Sequence, residues 1–115
     1  MSKTTVQNAR IKITVFNYPN PMRMGESCKF YFDLSKTVSQ SLDDRVKVSI
    51  RLFTLSGRLV RVFNDVKRGE PFDGRDNFNN PLSPGVYLYQ MIAEDRLQQK
   101  VVKSKIEKLA INPPR

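Results

Sequence analysis

The feature that most constrains the fold is a repeated alternation of apolar and polar residues with a period of two. Its cleanest run is Val46, Val48, Ile50 and Leu52, with polar or charged residues between them. Successive side chains of a β-strand point to opposite faces, so this pattern predicts a strand with one buried face. Similar runs recur along the chain, and no segment shows the sustained 3.6-residue period of an amphipathic helix.

Turn signals separate these runs. The segment LSGR (55–58) interrupts the central run with a glycine and LVRVF resumes it, which predicts a β-hairpin. The polar stretch 35–44 is expected to be a loop, and 94–96 a turn. Residues 68–85 hold three glycines and three prolines and predict turns with at most a short strand. About seven short strands without a helix predict an all-β antiparallel sandwich.

The length of 115 residues suits one domain. We expect a flexible N-terminal segment at 1–10, natural or added for expression, the β-sandwich at 11–112, and a tail at 113–115. The first ten residues lack the apolar core of a secretory signal, so an exported protein would carry its signal upstream. The apolar runs are too short for a transmembrane segment.

The composition argues against catalysis and against bound metals or other cofactors. There is no histidine and one cysteine, so neither an internal disulfide nor a Cys/His metal cluster can form. Cys28 is in phase with Phe30 and Phe32, which favours a small buried side chain over a nucleophile lacking a base. Asp73 and Asp76 could hold Ca²⁺, but aspartates in such loops more often accept hydrogen bonds from backbone N–H groups and form the turn.

The charge balance predicts acidic partners. Twenty basic residues against eleven acidic ones give a net charge of +9. The basic residues concentrate near the end of the chain, where we take four lysines as the candidate partner-binding surface: Lys100, Lys103, Lys105 and Lys108. A solvated basic strand edge that discourages aggregation is the open alternative.

A nucleic-acid partner is disfavoured by the alternation itself. Phe30, Tyr31 and Phe32 could form a stacking platform only if they were exposed on one sheet face. The period of two instead places Phe30 and Phe32 on the core side.

The stretch NYPNP (17–21) predicts the end of the first strand. Neither proline can donate a backbone hydrogen bond, so the chain is expected to leave the sheet there and cross into the sandwich. We interpret the prolines as a structural device rather than a recognition motif, and expect Tyr18 to plug that end of the core. Gly57 and Gly85 are expected in turns, and Tyr87 either in the core or hydrogen-bonded at a corner of the sandwich.

The order of these pieces resembles a known family. NYPNP, then SGRLV, then FDGRD, then SPGVYLY resembles the immunoglobulin-like C-terminal domains of the type IX secretion system and the related domain of the flagellar hook-capping protein. The resemblance covers about residues 15–111. The matching positions are Tyr18, Pro19, Asn20, Pro21, Gly57, Arg58, Asp73, Gly74, Asp76, Gly85 and Tyr87.

Three positions depart from the family pattern. Phe72 replaces the usual tryptophan, and Asn79 or Asn80 stands where a turn glycine is usual. Asparagine tolerates a left-handed backbone, so the turn is expected to survive. Pro84 lies one place later than in ordinary secretion signals, which sets this chain apart from them.

The resemblance implies an immunoglobulin-like, non-catalytic C-terminal domain of a larger exported protein, at the cell surface or outer membrane of a Gram-negative bacterium. It implies as partner an outer-membrane β-barrel shuttle or translocon protein, with anionic lipopolysaccharide as a further one. We favour the retained domain of the gingipain-type sortase; the alternatives are a cleavable sorting signal and a self-associating, hook-cap-like scaffold. Changing Lys100 and Lys103 to glutamate is expected to weaken partner binding without changing the melting temperature.

Overall fold

The computed structural model describes residues 11–36, 46–96 and 99–114. Within them lie β1 (Ile11–Tyr18), β2 (Met22–Arg23), β3 (Cys28–Lys36), β4 (Val46–Thr54), β5 (Leu59–Phe63), β6 (Glu70–Phe72), β7 (Gly85–Asp95), β8 (Lys100–Lys103) and β9 (Glu107–Asn112). These residues contain no helix. The predicted loop at 35–44 lies outside the described residues, except for its first two positions, which end β3.

The strands form two sheets. The smaller sheet has the order β1-β3-β6, and the larger has the order β2-β9-β7-β4-β5, with β8 also pairing with β7. Every pairing is antiparallel except that of β2 with β9. The predicted all-β, immunoglobulin-like antiparallel sandwich is confirmed. The two strands β2 and β6 are only two and three residues long, too short for periodicity to reveal.

The core fills the space between the two sheets. Aromatic rings meet at its centre: Phe30 packs against Phe63, Phe72 and Tyr89, with ring centroids 5.3, 6.1 and 5.1 Å away. Such pairs add to the free energy already gained by burying their apolar surface. Phe30 and Phe32 both face the core, as predicted, so they offer no stacking platform.

Strand β7 is the central strand of the larger sheet. Its eleven residues pair with β4 along one side and with β8 and β9 along the other. The predicted hairpin is confirmed as β4–β5, with Gly57 at φ +95° in its turn. The turn predicted at 94–96 is wrong in part, because β7 continues through Asp95 and buries it. The charged residues Glu94 and Asp95 at the end of β7 led to the prediction of a turn where the strand continues.

The NYPNP stretch ends β1, as predicted. β1 stops at Tyr18, both peptide bonds before the prolines are cis, and the chain crosses to the larger sheet, where β2 pairs with β9. The expectation that Tyr18 plugs the core is wrong: its side chain is 68% exposed. Tyr18 is in phase with Phe16 on the outer face of β1, and Asn17 takes the inward position instead.

Candidate interaction surface

A buried hydrogen-bond network joins the two sheets at the NYPNP stretch. Asn17, on β1, accepts a hydrogen bond from the Tyr89 hydroxyl on β7, with 3.1 Å between Oη and Oδ1. The same Oδ1 accepts a second bond from Asn20 Nδ2 at 3.1 Å. The Asn17 Nδ2 lies 3.8 Å from Cys28 Sγ, a weak acceptor. Asn17 is therefore a satisfied polar group inside the core, and it ties β1 to the central strand of the other sheet.

Asn20 occupies the free edge of β9. Its Nδ2 donates to the carbonyl of Lys108 at 2.9 Å, and its Oδ1 accepts from the backbone N–H of Ala110 at 3.0 Å. The side-chain amide thus replaces a neighbouring strand at this point, because it offers one donor and one acceptor. The second half of the NYPNP motif therefore closes an edge of the larger sheet.

Arg61 holds the irregular loop against the core. Its guanidinium lies 4.7 Å from the ring centroid of Phe63 and 5.6 Å from that of Phe72. Its Nη1 donates to the carbonyl of Arg75 at 2.7 Å and to Asp73 Oδ1 at 3.2 Å. The planar guanidinium can stack and donate at once, which an ammonium cannot do.

The two loop aspartates act on the backbone. Asp73 Oδ1 accepts from the N–H of Arg75, and Asp76 Oδ1 accepts from the N–H groups of Phe78 and Asn80 at 2.9 Å each. These bonds support the turn-forming interpretation rather than the Ca²⁺ alternative. In the part of the chain that the structure describes, no group of three or more acidic or cysteine side chains is placed to hold a metal ion.

The turn after Asp76 uses asparagine as predicted. Asn79 has φ +68°, the left-handed conformation that glycine would otherwise supply. Gly74 is also left-handed, at φ +78°, and a Cβ there would in addition lie 3.3 Å from Met22 Cε. The loop therefore packs closely onto β2.

Tyr87 and Gly85 both belong to the start of β7. The Tyr87 ring is buried, and its hydroxyl donates to the carbonyl of Ser83 at 2.6 Å, so both expected roles are met at once. Gly85 has φ +153°. Arg58 follows Gly57 in the β4–β5 turn, with its backbone N–H bonded to Thr54 Oγ1 at 3.1 Å. These motif residues therefore support turns and strand ends of the sandwich, whereas the side chain of Tyr18 is exposed.

Cys28 is a buried core residue, as predicted. Its side chain is almost fully covered, and burial raises the pKa of its thiol to about 11, against a smaller opposing effect of the Asn17 hydrogen bond. Burial also raises the pKa of the Tyr89 hydroxyl, and the nearby carboxylate of Glu107 adds to that effect. A protonated, covered thiol is a poor nucleophile.

The four predicted lysines do not form one surface. Lys103 and Lys108 lie opposite Ile92 and Leu88 on the outward side of β7. Lys100 lies opposite Asp95, in the inward register of β8 at the end of the sheet, and Lys105 lies in the connection between β8 and β9. All four are exposed.

Lys103 and Lys108 share the outer face of the larger sheet with two further cations. We call Lys47, Arg51, Lys103 and Lys108 the basic face. Among the described residues none of the four makes an ion pair. Glu94 on β7, opposite Lys47, is the one acidic residue at an outward position of β4, β7, β8 and β9. The result is a sheet face with an excess of positive charge.

Apolar side chains lie between these cations. Val86 is exposed, and Leu88 and Ile92 are half-buried; all three are at outward positions of β7, with Gln90 between Leu88 and Ile92. The positions opposite Lys103 and Lys108 are four residues apart, so the two lysines are separated by about 13 Å along the strand direction. The basic face can therefore offer both charge and apolar contact to a partner.

Sequence reasoning missed Lys47 and Arg51. Both occupy polar positions of the cleanest alternating run, so their outward direction was readable. The alternating pattern could not predict that β4 pairs with β7. This pairing brings Lys47 and Arg51 onto the same sheet face as Lys103 and Lys108.

Sequence reasoning also missed Ser104. This buried residue bridges the break between β8 and β9, with its N–H donating to the Met91 carbonyl at 2.8 Å and its Oγ accepting from the Met91 N–H at 2.9 Å. It thereby continues the pairing along β7 across the connection between β8 and β9. No motif marks such a role for a serine.

No protein-family model matches the sequence, and no curated protein matches it significantly. No helix among the described residues is long and apolar enough to cross a bilayer.

The solved structures that match this chain include two proteins of one bacterium. One is PorU from Porphyromonas gingivalis, solved as a latent dimer, with a TM-score of 0.68 and 21% identity. The match covers 91% of this chain and 10% of that one, so the chain spans about a tenth of the length of PorU. The other is PorZ of the same organism, described as an essential bacterial surface component of the type-IX secretion system. It has a TM-score of 0.48 and 19% identity over 96% of this chain and 12% of PorZ, too distant to carry an argument. Both neighbours are type IX secretion components.

Proposed function

We propose that this chain is a non-catalytic domain of a larger exported protein, and that it serves type IX secretion by binding a component of the outer membrane. One observation carries the proposal: nearly the whole chain adopts the fold of a small part of PorU, with TM-score 0.68 over 91% of its length. The order of the sequence motifs, which resembles the same secretion family, is independent support.

The placement of the motif residues favours binding over chemistry. Asn20, Asp73, Asp76 and Tyr87 make hydrogen bonds that hold loops and strands in place. Their side chains are therefore committed to holding loops and strands in place, and we assign function to other residues of the outer surface. The basic face carries four cations without an ion pair among the described residues, and it would attract acidic loops of a barrel protein or the phosphates of lipopolysaccharide.

The finer proposal is that the parent protein is the gingipain-type sortase, which keeps this domain. The fold likeness to PorU and the displaced Pro84 support it. An antibody against the domain, applied to fractionated native cells, tests both levels. A large surface polypeptide that retains the domain is expected. A precursor that loses it would replace the sortase with a cleavable signal, and a large oligomer without surface exposure would favour a scaffold. A small cytoplasmic band would refute the secretion proposal.

Binding to the basic face is tested by charge reversal. The variant Lys103→Glu with Lys108→Glu should bind outer-membrane vesicles at least about tenfold more weakly, and the interaction of the unmodified chain should weaken with salt. The matched control is Lys29→Glu with Lys67→Glu, which changes the net charge equally at exposed positions elsewhere. Equal loss in both variants would mean that total charge, not this face, drives binding. Neither variant should shift the melting temperature by more than about 2 °C, because exposed substitutions rarely exceed about 0.5 kcal/mol.

A further inference from the structure

We propose that the open side of the sandwich between β1 and β8 binds an acidic peptide segment as an added β-strand. The two strands belong to different sheets and do not pair with each other. Between them lies a groove of about 390 Å³, lined by residues 12–15 of β1 and, across from them, by residues 102–105 and Glu107. We call it the lateral groove.

The edge of β1 is an unoccupied template for strand pairing. β1 is eight residues long and pairs only with β3 among the described strands. Apart from its pairing with β3, no hydrogen bond in the described part of the chain reaches the backbone of residues 12–15. An unpaired row of N–H and C=O groups on a regular strand favours the addition of another strand.

Several other strand edges among the described residues are covered. Asn20 and β2 occupy the edge of β9. Asn77 covers β5, donating its N–H to Val60 and accepting from Val62 through Oδ1. The N–H of Val66 bonds to Val48 on β4, and β6 is only three residues long and contains a proline. Hydrogen bonds of this kind prevent a strand edge from pairing with another chain. The edge of β1 at the lateral groove has none, so another strand can pair there.

The charge at the groove selects an acidic occupant. Lys12 lies on one side, and Lys103 and Lys105 lie on the other. Within the described residues none of these lysines makes an ion pair, and Glu107 is the only acidic lining residue. A carboxylate-rich strand would place negative charge near both sides, while its backbone pairs with β1.

The length of the groove suits a short segment. Four residues of β1 span about 13 Å at 3.3 Å per residue, which is room for an extended stretch of about four or five residues. Peptide backbone fits this site better than a nucleic acid or a lipid headgroup, since only a peptide can satisfy the alternating N–H and C=O groups of a strand edge.

The inference rests on the proposed function only in assigning the acidic segment to a partner in the outer membrane. The probe is a fluorescein-labelled octapeptide of alternating glutamate and valine, and its binding to the 115-residue chain is followed by fluorescence anisotropy at low salt. The version with glutamine in place of glutamate should bind at least about tenfold more weakly. Peptide binding can be observed even if fractionation refutes the secretion proposal, and peptide binding can be absent even if fractionation supports it. The two proposals are therefore tested separately.

Backbone pairing is tested with N-methylated peptides. An added strand bonds through one edge, so methylation of alternate residues in one phase should abolish binding and methylation in the other phase should be tolerated. Equal binding of both methylated peptides would reduce the contact to charge attraction and overturn the proposal. So would equal binding of an oligonucleotide of the same net charge.

The groove itself is tested with matched protein variants. Lys12→Glu with Lys105→Glu should weaken peptide binding at least about tenfold, while Lys29→Glu with Lys67→Glu should change it less than about threefold. All four positions are exposed, so equal melting temperatures verify folding. Hydrogen exchange should slow at amides of residues 12–15 when the peptide binds; unchanged exchange there would also refute the added strand.

Discussion

The buried contact between Asn17 and Tyr89 should show strong energetic coupling. Replacing Asn17 with leucine keeps a similar volume but removes the acceptor of the Tyr89 hydroxyl, which lies in the core. A buried hydroxyl left without a partner costs about 1–3 kcal/mol. The bond from Asn20 is lost as well, for about 1 kcal/mol. We therefore expect Asn17→Leu to destabilise the fold by about 2–4 kcal/mol.

The partner substitution should be much milder. In Tyr89→Phe, Asn17 Oδ1 keeps its bond from Asn20, so no buried group loses all partners, and the expected loss is about 1 kcal/mol. In the double variant the orphaned hydroxyl no longer exists. The double variant should therefore lose less free energy of unfolding than the two single variants together, by about 1–2 kcal/mol.

Urea unfolding followed by circular dichroism measures the four free energies of this cycle. A chain of 115 residues has an unfolding entropy of about 0.24 kcal/mol/K, so Asn17→Leu alone should lower the melting temperature by about 8–17 °C. Tyr31→Phe is the control, since the Tyr31 hydroxyl makes no hydrogen bond among the described residues. Single losses that simply add to the double loss, within about 0.5 kcal/mol, would refute the network as an energetic unit.

Two further predictions concern Cys28 and Asn79. The folded thiol has a pKa of about 11, raised by burial from 9.0, so its contribution to stability is complete below pH 9 and is lost as pH rises toward 11. The urea midpoint of Cys28→Ala should therefore decline less between pH 9 and 11 than that of the unmodified chain; parallel declines would contradict this. At φ +68°, Asn79→Gly should change the free energy of unfolding by less than about 1 kcal/mol, whereas Asn79→Val should cost about 1–3 kcal/mol. Equal urea midpoints for the two variants would exclude backbone conformation as the cause.

Much of the fold was readable from local patterns. Alternation predicted the inward faces of Phe30 and Val48, because each strand residue's side is set by its parity. The left-handed Asn79 and the strand end at Tyr18 follow from conformational limits of single residues, which neighbouring sequence hardly alters. Even Asn17 was in phase with Val15, although its polarity concealed a core position.

The sequence by itself determined most of the longer strands and which of their apolar side chains point inward, since these depend on backbone limits and on a period of two. Only the tertiary structure decided which strands became neighbours. Asn20 meets Ala110 across 90 positions, and Lys47 shares a face with Lys108 through pairings that no local pattern encodes. The open groove beside β1 likewise exists because two sheets end side by side without pairing. Contacts between distant segments depend on the register of the whole sandwich, and that register is a property of the packed chain.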